Sequence, residues 1–590
     1  MNWNLDSLYP SFNSNEFKSD LTLLDNLICD YDTWSKQIES SELAPKIAIE
    51  SYIKKYSEIK GLVLKLYAFS SLSFSTDTKN DDATSYMSSI REYDSKIVSS
   101  SVTFSIYLNS LEMSVIEQLC NSSDIIMEHK FHLFELIGNS KYMLSKSEEI
   151  ILSKLKSTGS NAWETLQNKA TASLTVDIEI DGELKSLPLQ VVRNMAFDDS
   201  SETRKKAYYA ELKAYEKIQD ISAAAINSIK GEVIAECDLR GFASPLEKTL
   251  FDSRMSSKTL DSMMDAIKEF IPKFSDYYKR KAKILGHQNS LPMYDIFAPI
   301  TSSDKKISYD EAMTFITTHF ASFSKELSNF AEQAFDKNWV DSAPRQGKRG
   351  GAFCSNIRPI KESRILTNFT GSLNNVITLA HELGHGYHGH KIFEEEILNC
   401  SYPMPLAETA SIFCETIVKN AAINSAGDKE ALSILETSIQ GYGQVIVDIY
   451  SRYLFETELF ASRTEKTLSV DELKELMLDS QRKAYGDSLD HDYLHPYMWV
   501  NKTHYYYASR NFYNYPYAFG LLFAKGLYNI YLGDKSTFII KYDNMLGETG
   551  KNSIEDTAIL MGIDVSSKEF WSNSLKEIEK EIDKFLDLTK

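Results

Sequence analysis

The apolar residues of this chain recur mostly at intervals of three and four, which is the spacing of one face of an α-helix. The pattern is clear in residues 20–28 and 47–66, and it returns in 111–170, 256–286 and 309–336. The 590 residues contain only 24 glycines and 13 prolines, so few positions break a helix. The sequence therefore predicts a large, mainly α-helical protein.

Residues 173–192 change to a period of two. Polar and apolar side chains alternate there, and the dipeptide Asp181-Gly182 is typical of a two-residue hairpin turn. The stretch predicts a small β-hairpin. We place a domain boundary shortly after it, which divides the chain into an N-terminal helical region, 1–197 (with a subdomain at 112–192), and a catalytic region, 198–590.

Three local features predict interruptions of the helices. The serine-rich stretch 70–75 predicts a connection between two helices. Pro272 predicts a kink or a division of the helix at 256–286, because proline lacks an N–H and its ring clashes with the preceding turn. The segment 341–356 is rich in glycine and proline and predicts a loop, either a flexible one near the active site or an ordinary surface loop.

The composition limits the partners and the compartment. A net charge of −19 argues against general binding to nucleic acid or to an anionic membrane, because like charges repel. No uninterrupted apolar run reaches the length of a transmembrane helix, and the first residues do not resemble a signal peptide. Six scattered cysteines without a C-x-x-C pair fit a reduced protein. We therefore expect a cytoplasmic protein that binds neither nucleic acid nor membranes.

The run ITLAHELGHGYHGHK contains the motif H-E-x-x-H at His381, Glu382 and His385. Residues four apart on a helix share one face, so both imidazoles can bind a single Zn²⁺. Glu382 lies beside the first histidine and is suited to act as a general base towards an attacking water. The motif lies in an apolar run, where buried polar groups need a partner such as a metal. The sequence predicts a zinc site.

The ends and the packing of this helix can also be predicted. Asn374 and Asn375 offer side-chain oxygens that could cap its N-terminus, and Gly371 breaks the preceding structure. Gly384 and Gly386 are poor helix formers, so their presence predicts close backbone packing near the metal.

A catalytic zinc site usually has three protein ligands and one open position. Glu408 follows His385 at a distance that allows one helix to end and another to begin, and we assign it as the third ligand. Glu415 lies two turns further on the same face and is predicted to bond a ligand histidine. The rival carboxylates Glu394, Glu395 and Glu396 form a charge run that is more typical of a solvated face.

Tyrosines are concentrated in residues 491–528. His504, Tyr513 and Tyr517 are candidates to donate hydrogen bonds to the oxyanion that forms when water attacks a carbonyl. The alternative is ordinary aromatic packing, with hydrogen bonds through the hydroxyls.

Several segments of the chain resemble one family. They are WNLDSLYPSF near the N-terminus, YDIFAPI, GKRGGAFC, HELGHGYHGH, PLAETASIFCE and FYNYPYAFG. In these segments, which span nearly the whole chain, it is similar to the oligoendopeptidase F family, a bacterial branch of the thimet-oligopeptidase-like zinc metallopeptidases.

The resemblance implies a mainly helical fold of two lobes around a deep channel that admits short peptides. It implies one Zn²⁺ held by His381, His385 and Glu408, with Glu382 as the base. The E-x-x-S pattern of the family corresponds to Glu408 and Ser411 here.

The late histidine and tyrosine donors of the family map onto His504 and onto Tyr513, Tyr515 and Tyr517. The resemblance does not separate these three tyrosines, because their spacing from His504 differs from that in the mammalian branch.

The predicted function is hydrolysis of internal bonds in short peptides by a zinc-dependent oligoendopeptidase. One alternative is a zinc carboxypeptidase or dipeptidase on a similar scaffold, for which Arg510 is the nearest candidate to anchor a carboxylate. Another is a non-catalytic peptide-binding protein with a structural metal. The only partners predicted are short peptides, and the sequence sets no oligomeric state.

Overall fold

The computed structural model describes residues 2–40, 42–301 and 306–590. The chain forms 26 α-helices and five short strands within these ranges, which confirms the prediction of a mainly helical fold. Among the described helices, none combines the length and the apolar character that a membrane crossing requires.

The chain forms two compact units, and each unit is assembled from three separate segments. Unit 1 consists of Met1–Lys146, Lys305–Lys419 and Ile530–Gly562; unit 2 consists of Ser147–Asp304, Asn420–Asn529 and Ile563–Lys590. Each unit therefore takes residues from both predicted regions, 1–197 and 198–590. The assignment of catalysis to the second of those regions stays a prediction.

Unit 1 holds most of the residues of thirteen helices. They are α1 (Asn15–Glu39), α2 (Pro45–Thr76), α3 (Asp81–Ser110), α4 (Met113–Ser122), α5 (Asp124–Glu128), α6 (Lys130–Ser140), α14 (Tyr309–Phe323), α15 (Lys325–Asp336), α16 (Leu373–Ile392), α17 (Met404–Ala407), α18 (Thr409–Ser425), α24 (Lys535–Glu548) and α25 (Ile554–Ile559), with a 3-10 turn at Ile397–Asn399.

The first three helices pack through stacked aromatic rings. Tyr31 and Trp34 of α1 are buried, with ring centroids 5.2 Å apart. Tyr52 of α2 stacks on Phe104 of α3 with centroids 3.7 Å apart. Burial of such large rings stabilises this bundle.

The serine-rich stretch is part of α2, so the predicted connection at 70–75 is wrong. Ser70 Oγ donates to the carbonyl of Leu66 at 2.9 Å, and Ser75 Oγ donates to that of Ser71 at 2.7 Å. A serine hydroxyl satisfied by a carbonyl of the preceding turn can remain in a helix interior. Both serines are buried in this way.

Unit 1 also contains a three-stranded sheet. Its strands are β3 (Val340–Asp341), β4 (Phe353–Ile357) and β5 (Glu362–Leu366), in the order β3-β5-β4. β4 pairs with β5 in antiparallel register, and β3 pairs with β5 in parallel register. Helix α16 packs against β4 and β5, so the sheet supports the helix that carries the H-E-x-x-H motif.

The glycine-rich segment 341–356 therefore joins β3 to β4. Its residue Lys348 is buried and pairs with the equally buried Asp341 at 2.7 Å. Part of this segment is strand rather than loop, since β4 begins at Phe353.

Unit 2 holds most of the residues of the other helices and the two remaining strands. They are α7 (Lys146–Thr158), α8 (Ser160–Ser173), β1 (Thr175–Ile180), β2 (Glu183–Pro188), α9 (Leu189–Asn194), α10 (Ser201–Tyr215), α11 (Gln219–Arg240), α12 (Pro245–Asp252), α13 (Ser257–Ile284), α19 (Asp428–Gly443), α20 (Ile449–Glu465), α21 (Val470–Tyr485), α22 (Met498–Asn501), α23 (Tyr515–Gly533) and α26 (Lys568–Leu588), with 3-10 turns at Met293–Asp295 and Thr503–Tyr506.

The predicted hairpin is confirmed as β1 and β2, which pair in antiparallel register around Asp181-Gly182. Both turn residues have positive φ, 55° and 78°, as the turn requires. Val176 and Ile178 are buried on one face of β1 and join the core of unit 2. The alternation in the sequence reflects this one-sided burial.

Helix α13 continues through Pro272, so the predicted division of this helix is wrong. Ser256 caps its N-terminus, as its position before the apolar run would suggest. The helix packs along α26 and buries Met263, Ile267 and Phe274. Tertiary packing along the whole length holds the helix together on both sides of the proline.

Candidate active site

Helix α16 begins at a capping box. Ser372 is the N-cap: its Oγ accepts from the backbone N–H of Asn375 at 3.2 Å, and Asn375 Oδ1 accepts from the N–H of Ser372 at 3.3 Å. The prediction of Asn374 or Asn375 as the N-cap is therefore wrong by a few residues. Gly371 precedes the cap with a φ of +91°, which favours glycine.

His381, His385 and Glu408 converge in unit 1. One ligand atom from each lies within 4.8 Å of the others, and no second group of this kind occurs among the described residues. Glu408 Oε2 lies 3.3 Å from His381 Nε2 and 3.5 Å from His385 Nε2. The two imidazoles come from successive turns of α16, and their ring centroids are 4.9 Å apart.

Glu408 lies between α17 and α18, where the chain turns towards α16. Ser411 Oγ lies 2.9 Å from Glu408 Oε2 and 3.0 Å from the Glu408 carbonyl, and it can donate to either. This contact orients the carboxylate. Burial alone would raise the pKa of Glu408, but the hydrogen bond and charge of His381 and the charge of His385 lower it to about 2.

Glu415 lies on α18, two turns after Glu408. His381 Nδ1 donates to Glu415 Oε2 at 3.2 Å, and Lys419 Nζ donates to Glu415 Oε1 at 2.8 Å. The Nδ1 of His381 is thus engaged, which leaves Nε2 directed at Glu408. This is the arrangement expected of a carboxylate that orients a ligand histidine.

The donor set fits a zinc ion. Two imidazole nitrogens and one carboxylate oxygen are the three-ligand set of many catalytic zinc sites. Burial lowers the pKa of His385 to about 4, whereas at His381 the hydrogen bonds and charges of Glu408 and Glu415 outweigh burial and raise the pKa to about 10. A metal binds the neutral imidazole, so its binding would displace a proton from His381.

Glu382 is next to the first histidine and is buried, with 6% of its surface exposed. Its Oε2 has no hydrogen-bond partner among the described residues. Burial raises the pKa of Glu382 to about 7. A buried carboxylate oxygen without a partner is costly unless a ligand or water engages it.

Glycines allow α16 to approach its neighbours closely, which confirms the prediction made for Gly384 and Gly386. A Cβ at Gly384 would lie 2.6 Å from both the carbonyl oxygen of Ala410 and the Cα of Ser411. A Cβ at Gly386 would lie 2.7 Å from the ring of Phe330. The contact at Gly384 brings the backbones of α16 and α18 together. It thereby places the two histidines of α16 close to Glu408, which directly precedes α18.

The sequence reasoning did not identify Asn356 of β4. Its Nδ2 donates to the backbone carbonyl of His385 at 2.9 Å, and its Oδ1 accepts from Ser363 Oγ at 2.7 Å. Gly389 leaves room for it, since a Cβ there would lie 2.3 Å from Asn356 Cγ. A polar residue in a short strand was the only signal, and it does not reveal a partner so distant in the chain.

We call His381, His385 and Glu408 the metal cluster, and the rival carboxylates are not part of it. Glu394 and Glu396 are exposed. Glu394 pairs with Lys361 at 3.0 Å, and Glu395 pairs with Lys551 at 2.6 Å.

His504, Tyr513 and Tyr517 come together in unit 2, and we call them the His504 cluster. The ring centroid of His504 lies 4.9 Å from that of Tyr513 and 6.1 Å from that of Tyr517. The Nδ1 of His504 is buried without a hydrogen-bond partner among the described residues. Burial, with the charges of Arg452 and Lys502, lowers the pKa of His504 to about 4.

Tyr515 differs from its two neighbours. It is fully buried, and its hydroxyl is hydrogen bonded to Ser253 Oγ at 3.1 Å. Its ring therefore belongs to the core of unit 2, whereas Tyr513 and Tyr517 contact His504. Arg510 is exposed, and its guanidinium carbon lies 5.6 Å from the ring centroid of Tyr513.

Known proteins resemble this chain over most of its length. Residues 194–577 match the model of peptidase family M3, and residues 108–175 match the model of oligopeptidase F. The chain is 23% identical to oligopeptidase PepF of Bacillus subtilis, over 99% of this chain and 87% of that relative.

Solved structures show the same fold. A Chlamydophila abortus protein superposes with a TM-score of 0.84 at 21% identity, over 100% of this chain and 98% of the other. Oligoendopeptidase-F from Enterococcus faecium superposes with a TM-score of 0.73 at 15% identity, over 97% of this chain and 98% of the other. The M3 match covers well over half of the residues and includes every member of the metal cluster. The chain therefore belongs to peptidase family M3, a family of metallopeptidases.

Proposed function

We propose that this metallopeptidase is a zinc-dependent oligoendopeptidase, with His381, His385 and Glu408 as the metal ligands and Glu382 as the general base. The observation that carries the proposal is the convergence of these three donors beside the buried, unpartnered carboxylate oxygen of Glu382. A structural metal site would not need a free carboxylate next to it.

When bound, Zn²⁺ supplies Lewis-acid activation of water and of the scissile carbonyl. Glu382 accepts a proton from the attacking water through its free Oε2 and delivers that proton to the leaving amine. Burial of this carboxylate favours such a role, because an uncompensated oxygen in an apolar setting has a raised proton affinity. Glu415 keeps the ring of His381 in the orientation that presents Nε2 to the metal.

We further propose that the His504 cluster donates hydrogen bonds to the carbonyl oxygen as it gains negative charge. The imidazole of His504 is neutral at physiological pH, so it retains one N–H to donate. Tyr513 and Tyr517 carry hydroxyl donors on rings that contact this imidazole. One such donor typically contributes about 2.7–4 kcal/mol to catalysis.

The proposed substrates are short peptides. The support comes from the names of relatives, which include oligopeptidase PepF and oligoendopeptidase F. The deep channel between two lobes and the cytoplasmic location, both expected from the sequence, stay predictions.

The test is cleavage of a quenched fluorescent decapeptide that is blocked at both ends. We expect cleavage of an internal bond that stops when a zinc chelator is added and returns when Zn²⁺ is restored. A decapeptide with a free C-terminus is the matched control.

Cleavage of only the unblocked peptide, lost in Arg510→Gln, would replace the proposal with a carboxypeptidase. Stoichiometric zinc without hydrolysis of either peptide would replace it with a peptide-binding protein.

A further inference from the structure

Unit 2 contains a cavity of about 220 Å³ whose lining includes none of the residues proposed for the hydrolysis. Its walls come from five stretches of the chain, namely residues within 190–197, 204–211, 293–297 and 485–502, and Gln444. All of its lining residues lie within this one unit. We call it the unit 2 cavity.

Polar groups without partners face this cavity. His495 is 5% exposed, and neither of its ring nitrogens has a hydrogen-bond partner among the described residues. The nearest carboxylate oxygen, Glu211 Oε1, lies 3.7 Å from Nε2, which is too far for a hydrogen bond. The hydroxyl of Tyr485, which also lines the cavity, is buried and has no hydrogen-bond partner among the described residues.

The position of His495 is held firmly. Its backbone N–H donates to Gln481 Oε1 and its carbonyl accepts from Gln481 Nε2, both at 2.9 Å. Its imidazole packs edge-on against the ring of Tyr208, with centroids 6.0 Å apart. A fixed and buried side chain with open donor positions is typical of a binding site.

The charges that line the cavity do not balance. Three cations, Arg193, Arg204 and Lys502, face it together with one carboxylate, Glu211. Arg204 is compensated by the buried Asp295 at 2.7 Å.

Arg193 Nε lies 3.3 Å from Glu211 Oε1, and the negative charge of Glu211 compensates the positive charge of Arg193. Lys502 has no ion-pair or hydrogen-bond partner among the described residues. One positive charge therefore remains uncompensated.

Several groups around Lys502 influence its charge. Burial and the neighbouring guanidinium of Arg452 lower the pKa of Lys502 to about 8, and Asp448 and Glu211 act in the opposite direction. Asp448 is itself paired with Arg452. A partly buried ammonium without a counter-ion is costly, and a bound anion would remove that cost.

The rest of the wall is apolar or aromatic. Phe197 and Phe297 pack with ring centroids 4.9 Å apart, and Tyr208 and Tyr294 lie beside them. The volume is below the roughly 300–1,000 Å³ of sites for drug-sized ligands, so the ligand must be small. Apolar walls favour an organic ligand over a strongly hydrated inorganic ion.

We propose that the unit 2 cavity binds a small organic monocarboxylate. The carboxylate takes the place of the missing counter-ion of Lys502 and accepts hydrogen bonds from His495 and Tyr485. The apolar part of the ligand lies against the aromatic wall. None of the lining residues is one of the three metal-site residues or a member of the His504 cluster, so the proposal does not rest on the proposed hydrolysis.

The test is ligand-observed NMR on the zinc-loaded full chain, with phenylacetate as the probe. The neutral 2-phenylacetamide has the same shape without the charge. L-Phenylalanine distinguishes a free amino acid from a simple carboxylic acid as the source of the carboxylate, and inorganic phosphate tests for unspecific anion binding. The variant is Lys502→Gln, and the matched control is Lys483→Gln, an exposed lysine on α21.

We expect phenylacetate to bind the wild type and the control alike, and to bind Lys502→Gln about tenfold or more weakly. Asn501→Asp, which adds a negative charge to the same lining, should weaken binding as well without removing a packed side chain. The amide and phosphate should not compete with phenylacetate.

Equal binding of the amide and the carboxylate would overturn the proposal. So would phenylacetate binding that persists unchanged in Lys502→Gln and disappears when zinc is chelated, since that result would locate the carboxylate at the metal. Competition by L-phenylalanine would assign the site to free amino acids, and its failure to compete would assign it to carboxylates without an ammonium group.

Discussion

His381 Nδ1 lies 3.2 Å from Glu415 Oε2, although the two residues belong to different helices. The contact fixes the tautomer of the ring, because a carboxylate accepts and the Nδ1–H must donate. It also fixes the ring plane, so that Nε2 meets Glu408. The carboxylate of Glu415 thus controls a ligand without joining the metal cluster.

Replacement of this carboxylate should weaken metal binding. We expect Glu415→Gln to lower the affinity for zinc about 10–100-fold, because the amide retains an oxygen but loses the charge. Zinc affinity is measured by competition with a chromophoric chelator. The matched control is Glu394→Gln, an exposed member of the rival charge run, which should bind zinc as the wild type does.

Glu382→Gln should separate metal binding from turnover. The amide is nearly isosteric with the carboxylate and does not touch the three ligands, so we expect stoichiometric zinc to remain. Removal of the base should lower kcat about 10²–10⁴-fold. Zinc content by elemental analysis and peptide cleavage by fluorescence are the two measurements. Normal turnover in this variant would contradict the assignment of Glu382.

Gly384→Ala should separate the two helices of the metal cluster. The new methyl group would lie 2.6 Å from the backbone of Ala410 and of Ser411, where no flexible side chain can give way. We expect a loss of about 1–3 kcal/mol in the free energy of unfolding and weaker zinc binding.

Gly441 provides the control for this substitution. It lies in helix α19, and a Cβ there would meet nothing within 4 Å. Gly441→Ala should therefore stabilise the protein by up to about 1 kcal/mol through helix propensity. Equal melting temperatures for the two variants would contradict the close contact at Gly384.

His388 should make the stability of unit 1 sensitive to acid. It is fully buried, its Nε2 donates to Thr549 Oγ1 at 2.9 Å, and burial lowers its pKa from 6.5 to about 3. Between these two pH values the unfolded chain binds a proton that the folded chain does not. Stability is therefore lost as the pH falls from 6.5 towards 3, by up to roughly 5 kcal/mol.

The measurement is the melting temperature at several pH values between 7 and 4. We expect His388→Gln to be less stable at pH 7 but to show a smaller decrease on acidification. His491→Gln replaces an exposed histidine and should retain the wild-type pH dependence. Parallel curves for wild type and His388→Gln would show that another group is responsible.

The metal cluster was predictable because its chemistry is largely local. Two ligands and the base lie within five consecutive residues, where the helical repeat alone places His381 and His385 on one face. The prediction of Glu408 required one further argument, namely that the chain can end one helix, turn and begin another. The position of Glu408 beside the two histidines agrees with that argument. The hairpin at Asp181-Gly182 was predictable for the same reason, since turn and alternation are both local signals.

Features that depend on distant contacts were not predictable. The role of Asn356 requires the carbonyl of His385, far away in sequence, and the cavity around Lys502 requires five separate stretches of unit 2. The serines of α2 resemble a connection in composition, but their hydroxyls donate to carbonyls of the preceding turn and so remain in the helix. At such positions tertiary packing outweighs the preference of the local sequence for a particular secondary structure.

Because unit 1 is assembled from three separate segments, helix α16 is synthesised long before some of the residues that it contacts. Two consecutive residues of α16 depend on partners from its last segment: the Tyr387 hydroxyl donates to Asp543 at 2.7 Å, and His388 donates to Thr549. At about 5–20 residues per second, translation needs on the order of 10 s to reach these partners after α16 has emerged. During that interval the histidines are already made but their surroundings are incomplete. Helix α16 therefore gains these two hydrogen bonds only after residue 549 has been synthesised, well after the three residues of the metal cluster.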